Sequence, residues 1–148
     1  MKKLSRYANI GILAILLVIS TFLLTSCGRT DHILTIQSFQ PWHDFPHTNL
    51  QVTNRLVIDG NWSSRSGSGN STYVELSGTI PGFDTVTFTW RTVPNRDNPA
   101  FDYFITLISA QLDTDTLRHP DAEDFLWHLF DAFDLGYDSF ADYWWGDR

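Results

Sequence analysis

The stretch Thr72–Trp90, TYVELSGTIPGFDTVTFTW, decides the fold of this 148-residue chain. Apolar and polar side chains alternate along Thr72–Ile80, and they alternate without a break along Thr85–Trp90. A period of two is typical of a β-strand that buries one face. Pro81-Gly82, between the two runs, is the favoured pair for the centre of a type II turn. The stretch therefore predicts two antiparallel strands joined by a tight turn.

The segments on either side extend this sheet. Phe101–Leu112 is more uniformly apolar, which predicts a central strand after a turn at Pro94–Pro99. Upstream, the β-branched run Gln51–Asp59 predicts another strand, and the Gly/Ser-rich segment Gly60–Ser71 predicts a flexible hairpin loop. Ile33–Ile36 also has β character and is interpreted as a first strand. The segment between them, Gln40–Thr48, contains two prolines and is interpreted as an ordered loop.

The period of the pattern changes near the C-terminus. After a link at Asp113–Arg118, Pro120 suits the first turn of a helix, and acidic residues follow where the helix dipole favours them. Apolar residues then recur at four-residue spacing as far as Gly136, which predicts an amphipathic helix of about four turns. They are Phe125, Leu129 and Phe133, with Leu126 and Phe130 beside them. Asp138 is interpreted as the cap of a second short helix.

These elements predict an α+β fold. We expect an antiparallel β-meander of four or five strands with the C-terminal amphipathic helix packed on its apolar face.

The N-terminus has the layout of a secretory signal peptide. Met1–Asn9 contains three basic residues and no acid, and Ile10–Leu24 is almost entirely apolar. The apolar run reaches about 17 residues if Ala8 is included, which is at the short limit for crossing a membrane. An uncleaved transmembrane anchor is therefore the alternative.

The sequence that follows, Leu24-Thr25-Ser26-Cys27, resembles the lipobox of bacterial lipoprotein precursors. The resemblance implies cleavage before Cys27 and acylation of its thiol, so that the membrane is a partner through the lipid. It divides the chain into a signal peptide (1–26), a lipidated tether (27–32) and a single α+β domain (33–148). Gly28 in place of aspartate favours the outer membrane in a diderm bacterium. Otherwise the resemblance implies the outer face of the plasma membrane.

The charge of the mature chain limits its partners. Residues 1–26 carry three of the ten basic residues and no acid, which leaves seven arginines against 17 acids and a net charge of −10. Such a charge repels phosphate backbones, so we expect no nucleic-acid binding. Ten phenylalanines and six tryptophans remain, enough for a stable core or for an aromatic binding surface.

Two histidines form a candidate metal site. His43 and His47 are separated by three residues, with Asp44 between them. Zinc or copper would need further ligands, and His32 or His119 could supply them. The alternative is a loop whose histidines are polar surface groups. The sequence otherwise predicts no cofactor.

Other catalytic and metal-binding patterns are weak. Four aspartates near the C-terminus lack the spacing and closing glutamate of an EF-hand loop and are interpreted as solvated helix faces: Asp131, Asp134, Asp138 and Asp142. A secreted hydrolase would need a nucleophile, but no Gly-x-Ser-x-Gly elbow is present. Ser66 and Ser68 belong to the flexible Gly/Ser segment. No catalytic residue is therefore assigned.

The tail Tyr143-Trp144-Trp145 suggests a partner-binding site. Neighbouring residues of a helix point about 100° apart, so the two tryptophans cannot both face one core. Either one ring is exposed for a protein or glycan partner, or both rings clasp the sheet edge. The sequence as a whole predicts a lipid-anchored envelope lipoprotein that is a non-catalytic binding or structural module. The alternatives are a metal-binding envelope protein using His43 and His47, and a secreted hydrolase.

Overall fold

The computed structural model describes residues 31–96 and 102–146. The predictions for residues 1–30, including the signal peptide and the acylation of Cys27, lie outside this part of the chain. The elements in chain order are helices α1 (His32–Ser38) and α2 (Asn49–Leu56), strands β1 (Ile58–Ser66), β2 (Thr72–Ile80), β3 (Phe83–Pro94), β4 (Tyr103–Leu112) and β5 (Asp115–Arg118), and helices α3 (Asp121–Asp134) and α4 (Phe140–Trp145).

The strands form one antiparallel sheet in the order β1-β2-β3-β4-β5, which confirms the predicted meander. Leu76 pairs with Phe88, and Phe88 pairs with Ala110, so the apolar sides of three strands lie on one face. Gly82 has a φ of +101°, as the predicted tight turn between β2 and β3 requires.

Helix α3 closes the core over this face, as predicted. Its Phe125, Leu129 and Phe130 are buried together with Phe88 and Trp90 of the sheet. The acidic first turn is also confirmed, because Asp121, Glu123 and Asp124 all lie there. The fold is therefore α+β, with a C-terminal amphipathic helix packed against an antiparallel sheet.

The strand predicted at Ile33–Ile36 is wrong, because these residues belong to helix α1. Ile33 and Ile36 are three residues apart and both contact the core, with Ile36 fully buried. The buried amide of Asn49 donates a hydrogen bond to the backbone oxygen of Ile36 at 2.9 Å. The packing of Ile33 and Ile36 in the core, together with this hydrogen bond, therefore outweighs the β propensity of the segment.

The strand predicted at Gln51–Asp59 is also wrong, since most of it is helix α2. Thr48 and Gln51 form a capping box, in which the side chain of each accepts a hydrogen bond from the backbone N–H of the other. Val52 and Leu56 lie one turn apart and are both buried. The spacing that buries them is helical, and the strand begins only at Ile58.

The flexible loop predicted at Gly60–Ser71 is mostly strand β1, and a turn remains only at residues 67–71. Strand β1 is an exposed edge strand, so it carries no buried apolar alternation that the sequence could reveal. Trp62 is the half-buried residue of β1, and its ring stacks on that of Trp90 with the ring centroids 5.5 Å apart. Gly78 permits the close approach of β1, because a Cβ there would lie 2.8 Å from the backbone oxygen of Ile58.

Two further predictions near the C-terminus need correction. The segment interpreted as a link contains strand β5, in which Leu117 pairs with Ala110. Asp138 does not cap helix α4, whose N-cap is Ser139. Asp138 instead accepts hydrogen bonds from the guanidinium of Arg55, at 2.7 and 3.1 Å.

Within the described ranges, none of the helices combines the length and the apolar character needed to cross a membrane.

Candidate functional site

Helix α4 is held on α3 by stacked aromatic rings. Phe140 is fully buried, and its ring meets that of Phe125 edge to face at 5.4 Å. Trp144 stacks on Phe140 at 5.4 Å and also contacts Phe125. The clasp considered from the sequence was of both tryptophans on the sheet edge; these contacts are of Trp144 alone, with rings of α3 and α4.

Trp145 points in a different direction. It is 52% exposed, while Trp144 is half-buried, as expected for neighbours that point about 100° apart on a helix. The indole nitrogen of Trp145 lies over the β2–β3 turn, 3.1 Å from the position that a Cβ on Gly82 would occupy. Trp144 packs, and Trp145 is presented at the surface.

Tyr143 connects α4 to α3 through a chain of hydrogen bonds. Its hydroxyl donates to Oδ2 of Asp131 at 2.7 Å and lies 3.1 Å from Nδ1 of His128. Burial, followed by the hydrogen bond and charge of Asp131, raises the pKa of Tyr143 well above its ordinary value. Because the phenolic proton is committed to Asp131, Nδ1 of His128 must be the donor of the second bond. In a neutral imidazole the lone pair is then on Nε2.

An open groove lies between this pair of helices and the neighbouring sheet edge, with a volume of about 460 Å³. We call it the aromatic groove. Its apolar walls are Phe83, Leu112, Leu117, Phe125, Trp144 and Trp145. Phe83 and Phe125 meet edge to face at 5.7 Å, so rings from the sheet and from α3 meet within this wall. The wall is thus built from β3, β4, β5, α3 and α4 together.

The rim of the aromatic groove is polar and consists of Asp121, Asp124 and His128, all on α3. Both aspartates are exposed. Nε2 of His128 lies 4.0 Å from Oδ2 of Asp124, one helical turn away. Both carboxylates are acceptors, and Nε2 is an acceptor as well when His128 is neutral. The side chains of the rim therefore suit a ligand that donates hydrogen bonds or carries positive charge.

The structure does not bring the candidate metal ligands together. His43 is exposed in the loop before α2, whereas Nε2 of His47 lies 3.2 Å from Oδ1 of Asp134. His32 bonds to Thr92, and His119 faces Glu123 at 3.5 Å. Within residues 31–96 and 102–146, no three His, Cys, Asp or Glu side chains are grouped so that they could hold a metal ion.

The aspartates near the C-terminus are divided among different partners. Asp131 binds Tyr143, Asp134 contacts His47, and Asp138 binds Arg55. They therefore connect the C-terminal segment to its neighbours instead of converging on one point.

The serines considered for a hydrolase lie in or beside the β1–β2 turn. Ser66 is the last residue of β1. The backbone oxygen of Ser68 accepts hydrogen bonds from Ser71, which closes the turn.

Sequence reasoning found the tail of this site but missed its rim. It interpreted Asp121 and Asp124 only as acids that favour a helix start, and it did not single out His128. The i,i+4 spacing of Asp124 and His128 was the available signal, because it places both on one helix face. The contributions of Phe83, Leu112 and Leu117 depend on the tertiary fold.

Comparison of the chain with protein-family models, with curated proteins and with solved structures finds no match.

Proposed function

We propose that this protein is a lipid-anchored lipoprotein of the bacterial cell envelope and that it acts as a non-catalytic binding module through the aromatic groove. The main support for the binding role is the exposure of Trp145, whose side chain is 52% exposed at the wall of an open apolar groove. Exposed tryptophan beside a pocket is a common anchor of protein contacts. The resemblance of Leu24–Cys27 to a lipobox supports the anchor.

The aromatic groove lies at the end of the sheet that is remote from His32. The described chain begins beside His32, whose Nδ1 lies 3.0 Å from the hydroxyl of Thr92 near the end of β3. The groove lies at the other end of the same strand, at Phe83. The nine residues between them span about 30 Å at roughly 3.3 Å per residue. The aromatic groove therefore lies about 30 Å from the end of β3 that contacts His32.

The anchor is tested by the intact mass of the protein recovered from the membrane fraction. We expect the mass of residues 27–148 plus two or three acyl chains. A mass equal to all 148 residues without lipid would contradict the anchor and favour an uncleaved transmembrane segment. Replacement of Cys27 by serine is expected to abolish the acylated species.

The binding role is tested with Trp145→Ala. The full chain is immobilised, and envelope proteins and glycans retained by the wild type and by the variant are quantified. We expect Trp145→Ala to lose a partner that Phe104→Ala retains, because Phe104 is similarly exposed (55%) but does not line the groove. Equal retention by wild type and Trp145→Ala would contradict a binding role for the groove.

A further inference from the structure

The aromatic groove combines two surfaces that select for one kind of occupant. Its walls are aromatic and aliphatic, including the broad ring of Trp145. Its rim offers the carboxylates of Asp121 and Asp124, with the imidazole of His128 beside them. An occupant must therefore present apolar surface to the walls and a donor or a positive charge to the rim.

Positive charge satisfies the rim better than a neutral donor does. Asp121 and Asp124 lie three residues apart, so their carboxylates lie on one face of α3. Aromatic faces within about 6 Å also attract a cation, and the wall contains four rings. The net charge of −10 on the mature chain adds long-range attraction for a basic partner.

A protein segment fits these surfaces better than a glycan. Sugar hydroxyl groups both donate and accept, but the two carboxylates of the rim only accept hydrogen bonds. Lysine and arginine side chains donate without accepting, and their aliphatic stems pack on apolar surface while the charged head stays at the polar edge.

From these observations we propose that the aromatic groove binds an apolar segment of a partner protein that carries a lysine or arginine side chain. The segment packs on Trp145, Phe83 and Leu117, and its cation lies at Asp121 and Asp124. This inference rests on the proposed binding role of the groove and specifies the chemistry of the partner.

The test uses the full acylated chain in phosphatidylcholine nanodiscs, with empty nanodiscs as the blank. The probes are a dye-labelled hexapeptide of leucine and lysine, the same peptide with glutamate in place of lysine, and a neutral tetrasaccharide. Fluorescence anisotropy measures the binding of each probe. We expect the lysine peptide to bind and the other two probes to bind at least about tenfold more weakly.

Matched charge variants separate the groove from the general charge of the domain. Asp121→Asn with Asp124→Asn is expected to weaken binding of the lysine peptide by about tenfold, as the loss of two exposed charge contacts implies. Asp59→Asn with Asp102→Asn removes the same charge from exposed positions outside the groove, and we expect less than about a twofold effect. Equal losses in the two double variants would overturn the proposal.

The remaining outcomes distinguish this inference from the proposed function. Binding of the tetrasaccharide but not of the lysine peptide would overturn the basic partner while leaving a binding groove. Failure of every probe, together with loss of an envelope partner by Trp145→Ala, would likewise overturn the basic partner and leave a binding groove. Binding of the lysine peptide that is unchanged in Trp145→Ala would overturn both.

Discussion

The hydroxyl of Tyr143 donates a hydrogen bond of 2.7 Å to Oδ2 of Asp131, and this bond links the C-terminal helix α4 to α3. The same hydroxyl accepts from Nδ1 of His128. One phenol therefore holds the helix that carries Trp144 and Trp145, and it also determines which nitrogen of His128 faces the rim of the aromatic groove.

Replacing Tyr143 with phenylalanine removes this link while keeping the ring. We expect the free energy of unfolding to fall by about 1.5–3 kcal/mol, the usual effect of losing a hydrogen bond to a charged group. Urea denaturation measures the change. Tyr73→Phe is the control, because the ring of Tyr73 lies beneath the Arg65 guanidinium on the open face of the sheet. Equal losses in the two variants would contradict the role of the Asp131 bond.

The ionisation of Tyr143 gives a pH-dependent prediction. Burial and Asp131 raise the pKa of Tyr143 above the value near 10 of an unfolded tyrosine. The folded state thus favours the protonated phenol. Its contribution to stability is complete below pH about 10 and is lost as the pH rises through the folded pKa. We expect tyrosinate absorbance to show one late-titrating group, which Tyr143→Phe removes. Titration of all tyrosines near their ordinary pKa would contradict this assignment.

The adjacent tryptophans should differ in their effect on stability. Trp144→Ala removes contacts with Phe125 and Phe140, so we expect a loss of about 3 kcal/mol in the free energy of unfolding. Trp145→Ala removes a ring that is 52% exposed, and we expect a loss of less than about 1 kcal/mol. Denaturant unfolding of both variants checks the difference. A larger loss in Trp145→Ala would make that residue part of the clasp.

Gly82 is expected to be sensitive to substitution for two reasons. Its φ of +101° disfavours any other residue, and a Cβ would lie 3.1 Å from the indole nitrogen of Trp145. Gly69→Ala is the matched control, because Gly69 has a φ of +63° but no atom within 4 Å of a Cβ. We expect a loss of about 1 kcal/mol for Gly69→Ala and about 2 kcal/mol or more for Gly82→Ala. A shift in tryptophan emission unique to Gly82→Ala would report the displaced Trp145.

The sequence predicted the elements whose side chains face a core with a clear period. Strands β2 and β3 alternate, and α3 repeats its apolar residues every four positions, so their existence could be inferred directly. Helices α1 and α2 were missed because β-branched residues drew the interpretation towards strands. The Thr48-x-x-Gln51 capping box was present in the sequence and was the decisive signal for α2.

The functional site could be predicted only in part. Two adjacent tryptophans in a short helix must point in different directions, but helix geometry left open whether one ring is exposed or both clasp the sheet edge. The rim did not follow, because the hydroxyl of Tyr143, 15 residues away in the chain, contacts Nδ1 of His128 and leaves Nε2 at the rim. The walls required the register that brings Leu112 of β4 and Leu117 of β5 beside the rings of the C-terminal helix.

The consecutive order of the strands has a consequence for folding kinetics. Each strand pairs with the one before it, and two-residue connections join β2 to β3 and β4 to β5. Closing such short loops costs little chain entropy, which favours fast formation of the sheet. A chain that is synthesised from its N-terminus can therefore add one hairpin after another as it grows. The core is completed only when α3, the last long element, reaches the sheet.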